Sequence, residues 1–140
     1  METDKLHKEI DLIQNVINRM SHNSFLIKGW ALSIVGVMLA LVKDSIFTPK
    51  GSLLLSIILV FTITFWYLDA FFLKAEKKYI KLYNWIIINR PKGNYENLYD
   101  LNVTRFKVES HFKIMFSKTL WTFYSIPLLI IIGLLIYNIF

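Results

Sequence analysis

Cysteine is missing from the 140-residue sequence. That excludes disulfides, thiolate nucleophiles and cysteine-based zinc sites together, and it leaves the redox compartment open. Charge is scarce as well: 19% of the residues are Asp, Glu, Lys or Arg, where soluble domains carry roughly a quarter. Apolar side chains fill the deficit, at 55% with aromatics at 16%, a balance that reads as a membrane protein. Motifs of catalysis are missing too. There is no paired-histidine zinc pattern, no nucleophile elbow and no glycine-rich phosphate cradle. His7, His22 and His111 lie apart, and the helical face shared by Asp4, His7 and Asp11 reads more simply as solvated than as metal-binding. No enzyme, cofactor or metal is expected. The length leaves no room for a second folded unit of enzyme size.

What is present is a set of apolar runs long enough to cross a membrane. Residues 25–42 are apolar except for Lys28, residues 52–73 carry only Asp69, and residues 119–140 carry no charge. Each approaches or exceeds the roughly 18 to 20 residues that a helix needs to cross a hydrocarbon layer of about 30 Å. The expected fold class is all-α, an integral membrane protein with three transmembrane helices. Residues 1–24, with Glu2, Asp4, Lys5, Lys8, Glu9, Asp11 and Arg19, do not have the composition of a cleaved leader. The first span is expected to stay in the mature protein.

The net charge of +6 is unevenly distributed. Four basic residues precede or open the first span, two lie in 43–51, and ten lie between residues 74 and 118. The positive-inside rule then puts the N-terminus and the 89–118 connection in the cytoplasm and the C-terminus on the opposite side.

Leu6, Ile10, Ile13, Ile17 and Met20 recur with spacings of 4 and 3, the period of a helix-helix seam. An amphipathic cytoplasmic helix over 1–24 is expected to run into span one, with Asn23 and Ser24 leaving room for a bend. The seam suits packing within the chain or self-association. Span two is expected to extend to about residue 88. One face of that extension, with Asp69, Leu73, Glu76, Ile80, Tyr83 and Ile87, is placed to dock the N-terminal helix. Lys74, Lys77, Lys78 and Lys81 form another face suited to anionic lipid headgroups. Residues 103–108 fit a short strand or a loop, and nucleic acid is not an expected partner.

Lys28 and Asp69 are the ionisable residues inside the spans, where charge is costly and faces protein or water. Both lie about one turn inside the same surface, so an ion pair between them is geometrically reasonable. Gly29, Ser33, Gly36 and Ala40 form a stripe of small residues along span one, a helix-packing surface within or between chains. Trp121, Phe123 and Tyr124, with Tyr137 at the far end, read as an interfacial aromatic belt, and Trp66 and Tyr67 admit the same role.

Taken together, Arg19-Met20, Ser24-Phe25, Lys28 and Trp30, then Trp66, Leu68-Asp69, Leu73, Glu76 and Leu82-Tyr83, then Ser117, Thr119 and Phe123-Tyr124 carry a resemblance. The set resembles small bacterial membrane proteins, including the RipA-like octameric membrane proteins and membrane effectors of antiviral systems. The resemblance implies a homo-oligomeric inner-membrane protein with Lys28, Asp69 and Glu76, alongside Arg19 and Tyr83, at a cytoplasmic junction. This chain departs from larger effectors in having no separate sensor domain, which leaves a cytoplasmic trigger protein or phage component as a further partner. The expected function is a triggered, pore-forming or membrane-perturbing antiphage effector. A non-pore scaffold of the RipA-like kind and a small transporter are the alternatives.

Overall fold

A computed structural model describes residues 2–140. Four α-helices follow in order: α1 (Glu2–Val42), α2 (Pro49–Asn89), α3 (His111–Met115) and α4 (Lys118–Ile139). No strand is formed among the described residues, so 103–108 resolves as turns and irregular chain. Three helices are long and apolar enough to cross a membrane, with mean hydropathies of 2.2, 2.0 and 2.1 in their most apolar windows.

α1 and α2 form an antiparallel hairpin of two 41-residue rods, each about 60 Å long at 1.5 Å per residue. Cross-contacts pair Glu9 with Arg90, Gln14 with Tyr83 and Lys28 with Asp69. α1 passes through Asn23 and Ser24 without interruption. The hairpin turns through the short 3₁₀ segment Lys43–Ser45. Thr48 then caps α2 by accepting from the Gly51 amide at 3.1 Å, and Pro49 occupies the first helical turn, where its missing N–H costs nothing. A Cβ on Gly51 would sit 1.8 Å from the Ser45 carbonyl oxygen. Only glycine allows the helix to start this close to the turn. At the other end Pro91 and Gly93 stop α2, with Gly93 at φ +82 in the left-handed region that glycine enters freely.

α4 returns beside the apolar half of α2. It passes through Pro127 as one helix, and its Asn138 side-chain amide donates to the Ile46 carbonyl at 2.5 Å, tying the end of α4 to the hairpin turn. The molecule therefore has a three-helix apolar part and a two-helix stalk wrapped by the 89–118 connection. In the stalk, the Leu6, Ile10, Ile13 and Ile17 seam packs on Leu82, Ile86, Tyr79 and Tyr83, joined by Leu101, Val103 and Phe106 of the connection. The seam is satisfied inside the chain. Ile80 and Ile87, expected on the docking face, are 39% and 41% exposed. The connection covers a second side of α2, so the deepest positions become Leu82 and Ile86 and the expected face moves to the edge.

A polar clamp closes the stalk. Arg90, 2% exposed, makes a bidentate pair with Glu9, 1% exposed, at 2.9 and 2.7 Å. Its remaining N–H groups donate to the carbonyls of Asn94, Glu96 and Asn97, and Glu9 also accepts from the Tyr99 amide. A buried pair needs this degree of satisfaction to offset its desolvation.

Candidate functional site at the junction of the three apolar helices

Asp69 is fully buried where α1, α2 and α4 meet. Lys28 of α1 brings Nζ to 2.9 Å from Oδ1 and 2.7 Å from Oδ2. Ser24, one turn earlier on α1, donates to Oδ1 and accepts from Lys28 Nζ at 2.9 Å. Tyr124 of α4 donates its hydroxyl to Oδ2 at 3.1 Å. The carboxylate thus pairs with one ammonium and accepts two hydroxyl hydrogen bonds, all from two other helices. Local periodicity explains the convergence, because Ser24 and Lys28 are one turn apart on one face of α1. Lys28 keeps 22% of its side-chain surface exposed, so its ammonium is only partly withdrawn from the surroundings.

Around this centre the packing is aromatic. Trp66 donates its indole N–H to the Met115 carbonyl at 2.8 Å and lies against the rings of Tyr124, Phe116 and Trp121. Trp66 and Tyr124 are 6% and 0% exposed, which corrects their expected place in an interfacial belt. Each has a polar tip that finds a partner inside the bundle, so burial is favourable for the whole ring. Tyr67, Trp121 and Tyr137 do face outward.

The expected junction residues separate. Tyr83 accepts from Gln14 of α1 at 3.4 Å. Arg19 lies on the exposed surface. Glu76 is half-buried, and burial pushes its carboxyl above the ordinary value, partly opposed by the charge of Lys28. The basic face divides in two. Lys77 pairs with Glu109 at 2.6 Å and Lys81 donates to the Lys107 carbonyl at 2.5 Å, so both are engaged by the connection. Lys74 and Lys78 have no such partner. The hydrogen bond and charge of Lys77 hold the Glu109 carboxyl below its usual range.

Gly29, Ser33, Gly36 and Ala40 are all exposed, with open space around the Cβ positions of Gly29 and Gly36. The buried stripe of this half of α1 is instead Ser24, Ala31, Val35 and Val42. An apolar crevice of about 260 Å³ separates α1 from α4, lined by Leu32, Gly36, Leu39, Thr62, Pro127 and Ile130 among others.

Ser24 and Tyr124 were not expected in the site, nor was the Glu9–Arg90 clamp. A signal existed for the clamp: Glu9 lies three residues after Leu6 and four before Ile13, on the seam's own face, where a carboxylate needs a cation. No group of His, Asp and Glu side chains among the described residues is placed to hold a metal. From Asp69 to the hairpin turn the three helices carry no other acidic or histidine side chain. A relay needs a succession of such groups, so the arrangement suits anchoring three helices to one another. No family model, curated protein or solved structure matches the chain.

Proposed function

We propose that the chain is a homo-oligomeric protein of the bacterial inner membrane that acts as a triggered, membrane-perturbing effector of the antiphage kind. In this reading the stalk and the 89–118 connection are cytoplasmic and the hairpin turn lies on the far side, as the ten basic residues between 74 and 118 favour. The observation that carries the proposal is the outward position of Gly29, Ser33, Gly36 and Ala40. Inside hydrocarbon there is no hydrophobic drive between helices, and association depends on close packing that small residues permit. The protomer leaves that surface unused, while its internal contacts are locked by Asp69. A second copy of α1 is the natural occupant.

Few hydroxyls face outward, and those of Ser56 and Thr64 donate to their own helix at 2.9 Å. That scarcity favours disturbance of the bilayer over a wide aqueous pore, and it also supports the second reading, a non-pore scaffold. Graded expression in bacteria separates the two. The effector reading expects loss of membrane potential and growth arrest above a threshold level, abolished by Gly36→Ile. Unchanged potential at every level, with and without phage infection, would leave the scaffold.

A further inference from the structure

Tyr67, Phe71, Lys74 and Lys78 follow one another on α2 at spacings of 4, 3 and 4, which puts them on one face. They line an open cleft of about 560 Å³ together with Phe72 and His111. Lys74 and Lys78, unlike Lys77 and Lys81, are not engaged by the connection, so two ammonium groups stand free in one concave surface. His111 lies with its ring 4.2 Å from that of Tyr67, and its buried Nε2 has no hydrogen-bond partner. Along the helix the face changes from aromatic to basic within one turn, and Tyr67 to Lys78 spans about 16 Å.

We propose that this cleft binds one anionic phospholipid, its phosphate held between Lys74 and Lys78 and its first acyl segment lying along Tyr67 and Phe71. The proposal rests on the membrane reading given above. Charge complementarity selects an anion, since two unpaired ammonium groups one helical turn apart on one cleft repel each other until a phosphate bridges them. The aromatic wall selects a lipid over a free phosphate: the exposed rings of Tyr67 and Phe71, 51% and 53% accessible, would give a soluble ion nothing. The level also fits. Lys74 and Lys78 lie five and nine residues beyond Asp69, about 8 and 14 Å further along the axis, where the hydrocarbon gives way to headgroups. Basic pockets of this kind beside membrane helices retain anionic headgroups.

The test uses the full chain in detergent micelles, with native mass spectrometry after adding phosphatidylglycerol or phosphatidylcholine, and with inorganic phosphate alone as a third ligand. The wild type is expected to retain phosphatidylglycerol at least tenfold more than phosphatidylcholine. Lys74→Gln/Lys78→Gln should lose that preference, Lys74→Arg/Lys78→Arg should keep it, and Lys77→Gln/Lys81→Gln should change it less than threefold. Equal losses in both glutamine pairs would replace the cleft by a diffuse basic surface and overturn the proposal. Equal retention of the two lipids would remove the selection for an anion, and displacement of lipid by millimolar inorganic phosphate would make the site one for a soluble anion; either result overturns the proposal. Helical circular dichroism of each variant shows that the losses do not come from unfolding. Release of the wild type from cell membranes by alkaline carbonate would instead strike the membrane reading itself, which makes the two failures distinguishable.

Discussion

Asp69 gathers more of the structure than any neighbour of its size. Its carboxylate is the common acceptor for Ser24, Lys28 and Tyr124, so its removal leaves an ammonium and two hydroxyls without their acceptor. Breaking such a pair from one side costs about 3 kcal/mol, the low end for a buried pair because Lys28 keeps 22% of its surface. Asp69→Leu should therefore lower the thermal midpoint in detergent by many degrees. Exchanging the two residues, Lys28→Asp with Asp69→Lys, should recover part of the loss, since the charges still meet while the hydroxyl donors are misplaced. Recovery of nothing would count against the pair as the source of the cost. Glu76 gives a second residue-scale expectation. Its carboxyl is raised by burial, with Lys28 opposing, so between the ordinary carboxylate value and the raised one the folded state binds the proton more tightly. Stability then falls as pH rises through that window. Glu76→Gln should raise the midpoint at neutral pH, and the gain should vanish in acid below the ordinary value; a gain that persists there would contradict this origin. The Lys28–Asp69 pairing was legible in the sequence because both charges interrupt apolar runs at matched depth. Tyr124 was not, because an aromatic residue near the end of an apolar run looks the same whether its hydroxyl faces a headgroup or a buried carboxylate. The Lys77 and Lys81 contacts depend on where an irregular connection folds back, which no periodicity encodes.

At the scale of elements, the long hairpin follows from patterns that sequence carries well. Two apolar runs extend without helix breakers into amphipathic continuations, and Pro49 and the Pro91–Gly93 pair mark where α2 begins and stops. The extension of α2 was expected to about residue 88 and the helix ends at Asn89. The continuity of α1 was less legible, since Asn23 and Ser24 are weak helix formers. Ser24 is held by Asp69, a tertiary contact that overrides propensity. The connection was ambiguous between strand and loop because its alternation is short, and its apolar residues serve to cover α2. The hairpin turn offers a direct check. A methyl group at Gly51 would overlap the Ser45 carbonyl, so Gly51→Ala must shift the turn and should cost about 1–3 kcal/mol. Thermal unfolding in detergent measures it, and a midpoint within one degree of the wild type would show that the turn yields freely.

Taken whole, the chain buries the inner face of its stalk and leaves most of its apolar part exposed. The stalk buries its seam, satisfies Arg90 and Glu9, and covers α2 from two sides. In the apolar part only 17% to 28% of the residues in each helix's most apolar window are buried. Lipid can cover such surface, but it gains nothing special from a row of small residues with open space beside it. A neighbouring helix would gain close packing there. Because the Cβ of residue 36 would meet nothing within 4 Å, Gly36→Ile begins in open space beside the crevice toward α4, and thermal unfolding of the variant checks that the fold of one copy is kept. Native mass measurement of the purified chain in a lipid nanodisc is the decisive observation. A particle of several copies is expected for the wild type and a shift to single chains for Gly36→Ile. A wild type that weighs as one chain, or a Gly36→Ile particle of unchanged mass, would contradict that expectation.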